Sequence, residues 1–121
     1  MIKALPEFPD NVVAFVCTGR VSRQDYETVI IPVVEQALKD HAKARLYYEI
    51  GAEFEEVEPA AIWEDFKIGM QHVTRWERIA VVTDVAWIKH SIQMFGFIMP
   101  GELSVFSRSD AAKARAWIVA P

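Results

Sequence analysis

Side chains that bind metals are present in this sequence but are not grouped. His41, His72 and His90 lie on separate predicted elements, and none has a second His or Cys three or four residues away, as a helical metal site requires. An acidic run over residues 53–58 offers oxygens to a hard cation, but it lacks the Asp, Asn and Gly pattern of a calcium loop. A solvated loop is the simpler interpretation of this run, and we predict no metal site.

Groups for covalent or cofactor chemistry are also dispersed. Cys17 lies in an apolar run, where a thiol behaves as a small buried hydrophobe, and no G-x-S-x-G motif surrounds any serine. The five glycines form neither a dinucleotide-binding nor a Walker motif. Glu64 and Asp65 are adjacent on a predicted helix and therefore point in different directions. We predict no catalytic residue and no cofactor, and therefore a binding protein rather than an enzyme.

Large apolar side chains are concentrated in the middle of the chain. They exceed what two short helices need to form one inward stripe, and residues 94–100 contain no charge. Exposed apolar patches of this kind mark surfaces that bind partners, lipids or membranes, although packing in the core would explain many of these residues. Several cations flank the region and could contact anionic headgroups; they are Lys67, His72, Arg75, Arg78, Lys89 and His90. The predicted ligand-binding residues are Trp63, Phe66, Lys67, Met70, Trp87, Lys89, Phe95, Phe97 and Ile98.

Length and charge limit the remaining classes. The 121 residues, 52% apolar and 25% charged, predict one folded domain over residues 1–121. The net charge of -4 makes nucleic acid an unlikely partner, because nucleic-acid binding depends on clustered Lys and Arg. A single cysteine cannot form an internal disulfide, and neither a signal peptide nor a membrane-spanning segment is recognisable. These features predict a cytoplasmic location.

Apolar patterns alternate between strands and helices along the chain. Strands are predicted over residues 12–18, 44–50, 78–83 and 102–106, with a further edge strand over residues 1–5. Helices are predicted to begin after a capping box at Ser22 and Asp25, at Pro59, after an N-cap at Asp84 and near Ser109. The last helix is predicted to present Ala111, Ala114, Trp117 and Ile118 to the core. The predicted elements indicate an α/β fold with a mixed, largely parallel sheet of about five strands and about four helices. Pro32 is predicted to kink or break the first helix near residues 28–31.

The order of these elements resembles the SpoIIAA-like family of small bacterial proteins, which share the fold of STAS domains. The resemblance covers nearly the whole chain and implies the same fold. The residues that carry it are Gly19 with Tyr26 and Ile31-Pro32, Ala61-Ile62-Trp63-Glu64-Asp65, Glu77-Arg78-Ile79-Ala80-Val81-Val82, Phe95-Gly96 and Pro100-Gly101-Glu102.

One departure from the better-known STAS regulators bears on function. Those regulators carry a phosphorylated serine or threonine near the start of the second helix, whereas this chain has no Ser or Thr between Val29 and Val73. The resemblance to SpoIIAA-like proteins implies instead ligand binding or membrane association, through helices that move apart to expose an apolar groove. We predict that the groove lies between the second and third helices and takes a lipid, a small apolar ligand or the inner membrane surface. A homodimer or a regulatory partner on the same patch is the alternative.

Overall fold

The sheet has five strands in the order in which they occur along the chain. The computed structural model describes residues 1–57, 74–96 and 101–121, with the backbone alone for residues 52–57, 95 and 96. The strands are β1 (Ile2–Ala4), β2 (Val12–Val21), β3 (Ala44–Val57), β4 (Trp76–Val82) and β5 (Glu102–Phe106). Strand β1 is antiparallel to β2, and β2 to β5 are mutually parallel. The predicted mixed, largely parallel sheet is therefore confirmed.

The first helical region begins with the predicted capping box, and a π-helical turn lies where a kink or break was predicted. The Ser22 hydroxyl accepts a hydrogen bond from the Asp25 N–H at 3.2 Å, and the Ser22 N–H donates to the Asp25 carboxylate at 2.8 Å. The region consists of α1 (Arg23–Asp25), a π-helical turn (Tyr26–Ile30) and α2 (Ile31–Asp40). Pro32 has no N–H to donate to the carbonyl four residues earlier, and the Ile31 N–H bonds the Tyr26 carbonyl in the wider π pattern.

Two further helices follow β4 and β5. Helix α3 (Ala86–Gly96) follows β4, and α4 (Ala111–Val119) follows β5 after a 3-10 turn (Arg108–Asp110). The helix predicted after Pro59 lies outside the described residues. With α1 to α2 counted as one helical region, the described residues contain the other three predicted helices.

The prediction that Asp84 caps α3 was wrong. Its carboxylate accepts a hydrogen bond from the Arg108 N–H at 3.1 Å, beyond β5. The hydroxyl of the preceding residue, Thr83, accepts from the Val85 N–H at 3.0 Å instead. Val85 precedes the first residue of α3, so the buried Thr83 hydroxyl supports the turn that leads into the helix.

The acidic run was also assigned to the wrong element. It was predicted to be a solvated loop, but β3 continues through Val57 and pairs with β2 up to that residue. Gly19 lies opposite Phe54, whereas Cys17 lies opposite Ile50, so β3 contains extra residues at this point. Such bulges bend a strand, and they let β3 follow β2 beyond the main sheet.

The core lies on both faces of the sheet. One face packs against α2 and α3, and its buried residues include Phe15, Ile79 and Val81. The other face packs against α4, where Ala114 and Ile118 are completely buried, as their spacing predicted. Burial of β4 on both faces explains its unbroken apolar run.

Gly19 requires backbone freedom that other residues lack. Its φ is +57°, and an added Cβ would meet nothing within 4 Å, so the constraint is conformational. We expect Gly19→Ala to lower the free energy of unfolding by about 1 kcal/mol, as measured by urea denaturation. Gly19→Asn should lower the free energy of unfolding by less, because Asn adopts a positive φ more readily than Ala. Wild-type stability in the alanine variant would contradict this explanation.

Candidate functional site

The outer side of α3 exposes two large apolar side chains. Trp87 is 49% exposed and Met94 is 72% exposed. They are seven residues apart, which places them within about 20° of each other around the helix axis. Ile88 and Ile92 lie on another side of the helix and pack against the core. The apolar surface of α3 is therefore wider than its core contact requires, as the sequence indicated.

Helix α3 has no acidic side chain. The helix contains Lys89 and His90 and neither Asp nor Glu, although the whole chain has 17 acidic and 13 basic residues. His90 is exposed and lies about 60° from Trp87 around the helix axis. Lys89 is partly buried and lies about 160° from Trp87. His90 is therefore nearer to Trp87 around the helix than Lys89, and the contact of Lys89 with a headgroup stays a prediction.

The structure describes only part of the predicted ligand-binding set. Trp87 and Lys89 are described in full, and Phe95 lies on α3 with its backbone alone described. The groove between the second and third predicted helices remains a prediction. The residues outside the described ranges are Trp63, Phe66, Lys67, Met70, Phe97 and Ile98.

Two of the flanking cations have structural roles. The Arg75 guanidinium donates to the carbonyls of Leu38, His41 and Ala42, at the end of α2. Arg78 donates to the carbonyls of Trp117, Ala120 and Pro121 and lies over the Trp117 ring at 5.4 Å. Such contacts satisfy carbonyls that a helix leaves unpaired at its C-terminal end. These arginines therefore hold helix ends, and their contact with a headgroup stays a prediction.

A chain of polar groups lies within the α3-facing side of the core. The Cys17 thiol donates a hydrogen bond to the Tyr48 hydroxyl at 2.9 Å, and the Tyr48 and Tyr26 hydroxyls are 2.9 Å apart. Cys17 and Tyr26 are 1% and 3% exposed, so the predicted burial of the cysteine is confirmed. Sequence reasoning missed the network, because it joins a strand, a π-helical turn and a neighbouring strand, and only the parallel register of β2 and β3 brings these together.

A second cluster that sequence reasoning missed lies on the α4 side of the sheet. The Arg115 guanidinium lies 5.5 Å from the Phe8 ring centre and 5.4 Å from that of Tyr47. It also forms ion pairs with Glu7 at 3.2 Å and Glu49 at 3.7 Å. The Tyr47 hydroxyl donates to Glu49. Burial, followed by this hydrogen bond, raises the pKa of Tyr47 to about 12. The cluster fastens the segment before β2 to the sheet.

The raised pKa of Tyr47 makes stability depend on alkaline pH. The unfolded chain releases this proton near pH 10 and the folded chain near 12, so the stabilisation is complete below pH 10 and is lost between pH 10 and 12. A pKa difference of about two between the folded and unfolded chain corresponds to about 3 kcal/mol. Between pH 9.5 and 12, urea denaturation should show a loss larger by about 2 kcal/mol in the wild type than in Tyr47→Phe. Equal losses would contradict the assignment.

The described residues include neither a group of metal-binding side chains nor a helix that could cross a membrane. Within residues 1–57, 74–96 and 101–121, no three His, Cys, Asp or Glu side chains are grouped so that they could hold a metal ion. In the same part of the chain, every helix is too short or too polar to cross a bilayer.

Comparison with known proteins assigns the architecture. A family model described as SpoIIAA-like matches residues 12–119. A crystal structure of an uncharacterised protein with a SpoIIAA-like fold from Shewanella loihica PV-4 superposes with a TM-score of 0.74 and 24% sequence identity, covering 97% of this chain and 93% of that protein. A comparison with curated proteins finds no match. The structural similarity confirms the predicted fold.

Proposed function

The chain belongs to the SpoIIAA-like family, and from this premise we propose that it is a non-catalytic module that binds an acyl chain through the α3 side of the molecule. The acyl chain belongs either to a small apolar ligand or to a lipid of the inner membrane surface. Family membership supports a binding or regulatory module in general terms. The exposure of Trp87 and Met94 on one side of a helix without acidic residues supports the more specific proposal.

The physical argument is the cost of leaving this surface in water. A half-exposed tryptophan leaves on the order of 100 Å² accessible, and covering it with an acyl chain contributes roughly 2 kcal/mol. Met94 contributes a similar amount when covered. Together these two side chains support only a millimolar affinity, about 4 kcal/mol. Tighter binding needs the apolar side chains predicted beside them, which include Trp63, Phe66 and Phe97.

The charge distribution favours a ligand with an anionic headgroup. His90 is exposed beside Trp87, and α3 has no carboxylate to repel phosphate or carboxylate oxygens. Tryptophan is enriched at membrane interfaces because its ring is apolar and its N–H is polar. An amphipathic helix with these features is suited to the boundary between headgroups and acyl chains.

Solvent extraction of the purified protein followed by mass spectrometry tests the proposal. We expect a fatty acid or phospholipid to be recovered in a defined ratio to protein, and flotation of the protein with phosphatidylglycerol vesicles. A lipid-free protein that also fails to float would contradict the proposal.

A regulatory domain that binds another protein is the second candidate, and the same exposed tryptophan favours it. Its partner would have to recognise the surface without the phosphorylation switch of STAS regulators, because residues 29–73 contain no Ser or Thr. Light scattering over a range of concentrations separates the candidates. A stable dimer that persists in the wild type and is lost on changing Trp87 would favour the protein interface.

A further inference from the structure

Strand β5 forms one edge of the sheet. It is hydrogen-bonded to β4, and among the described residues it has no second strand beside it. The register with β4 is regular over the whole strand, from Arg78 opposite Glu102 to Val82 opposite Phe106. The outer side of β5 is therefore a straight row of backbone groups.

The direction of these backbone groups follows from one hydrogen bond. The Thr83 N–H donates to the Phe106 carbonyl at 2.9 Å, so the backbone groups of Phe106 point toward β4. The N–H and C=O of one residue point to the same side of a strand, and this side alternates along the chain. Ser104 consequently also points toward β4, whereas the N–H and C=O groups of Leu103 and Val105 point away from the sheet.

The two edge strands, β1 and β5, differ in the features that discourage pairing with another chain. Strand β1 has three residues and carries Lys3, and short length and lysine both discourage pairing with another chain. Strand β5 has five residues, Glu102–Phe106, with no lysine and no proline, and its register with β4 has no bulge. Edges without such devices are sites for pairing with a further strand.

The charges at the two ends of β5 fit a second copy of the same strand. Glu102 begins the strand, and its side chain is 66% exposed although it lies 3.5 Å from the Arg78 guanidinium of β4. This single contact leaves most of the carboxylate in water, and the exposed Arg108 follows two residues after the strand ends. In an antiparallel pair of identical strands, the acidic start of each would lie beside the basic end of the other. Diagonal neighbours in such a pair are within reach of long side chains.

We propose that two copies of this chain form a symmetric dimer by antiparallel pairing of their β5 strands, with Ser104 at the two-fold axis. Leu103 of each copy then lies opposite Val105 of the other, and their outward N–H and C=O groups form two reciprocal pairs of hydrogen bonds. The dimer joins the two sheets into one.

This assembly goes beyond the proposed acyl-chain binding and does not depend on it. The two-fold axis is perpendicular to the joined sheet, so both copies of α3, which packs on β5, lie on the same face. Two ligand surfaces facing one way would bind a single membrane together, with the gain in avidity that linked sites provide.

Charge reversal with sedimentation equilibrium tests the dimer. We expect the wild type to dimerise below about 100 µM, and Glu102→Arg and Arg108→Glu each to raise the dimer dissociation constant at least about tenfold. The double variant should return to within about threefold of the wild type, because the charge pair is restored with reversed sign. Both side chains are exposed, but Glu102→Arg also removes the ion pair with Arg78. Circular dichroism and urea denaturation therefore check that each variant keeps the fold and the stability of the wild type.

Amide hydrogen exchange provides a second readout of the same interface. The Leu103 and Val105 amides should become protected as the protein concentration rises. A wild-type monomer at about 1 mM would overturn the proposal. It would also be overturned by a double variant no stronger than the single ones, or by a dimer in which these two amides exchange freely.

Discussion

Replacing Gly101 with alanine is expected to lower the free energy of unfolding by about 3 kcal/mol or more. An added Cβ would lie against the Trp76 carbonyl oxygen and 2.8 Å from the Glu77 carbonyl oxygen. Both obstacles are backbone atoms at the start of β4, so no side-chain rotation relieves the contact. The strand entering the sheet at Glu102 would have to move as a whole. Urea denaturation measures the loss.

Gln93→Ala is the matched control for this prediction. Gln93 is exposed on α3, and substitutions at exposed positions usually alter stability by less than about 0.5 kcal/mol. If Gly101→Ala were as stable as the control, the close approach of residue 101 to β4 would not constrain the fold.

Replacing Trp87 with serine is expected to weaken binding to phosphatidylglycerol vesicles by roughly 30-fold. The estimate follows from losing about 2 kcal/mol of apolar contact, with 1.4 kcal/mol for each factor of ten. Adding Met94→Ser should weaken binding by a similar further factor. Folding stability should change by less than about 0.5 kcal/mol, because both side chains are exposed. Vesicle flotation at a series of lipid concentrations measures the effect.

Val119→Ser is the matched control for vesicle binding. Val119 is 44% exposed, but it lies on α4, which packs on the opposite face of the sheet from α3. Its replacement should leave vesicle binding unchanged. Equal weakening by Trp87→Ser and Val119→Ser would indicate nonspecific adsorption and would contradict a role for α3.

Local patterns predicted most of the fold because burial and helix boundaries are set by neighbouring residues. The capping box at Ser22, the irregular helical turn before Pro32 and the inward Ala114 and Ile118 all follow from the sequence of neighbouring residues. The parallel sheet follows from strands that alternate with helices. The structure also confirms the predicted burial of Cys17.

The predictions that were wrong concern residues whose contacts are with distant parts of the chain. The Asp84 carboxylate bonds the Arg108 backbone rather than its own helix, and no local pattern predicts this contact. The acidic run became part of β3 because β2 is long enough to pair with it. Pairing across strands thus overrode the loop preference of consecutive glutamates.

The candidate site was predicted in part. The width of the apolar surface on α3 could be predicted from the spacing of Trp87 and Met94. Helical spacing also places His90, three residues after Trp87, nearer to it than Lys89, two residues after it. Their exposure could not be predicted, because the packing of α3 leaves His90 exposed and Lys89 partly buried. The hydroxyl and thiol network of Cys17, Tyr48 and Tyr26 depends on strand register and could not be inferred from any one segment.

Quenching of Trp87 fluorescence by lipids brominated on their acyl chains is the most direct test of the acyl-chain proposal. The difference between the emission of the wild type and of Trp87→Phe isolates the Trp87 signal from the other three tryptophans. We predict that this difference signal is strongly quenched in brominated vesicles and shifts to shorter wavelength in unbrominated ones. A difference signal that is the same in buffer and in both kinds of vesicle would contradict the contact between α3 and acyl chains.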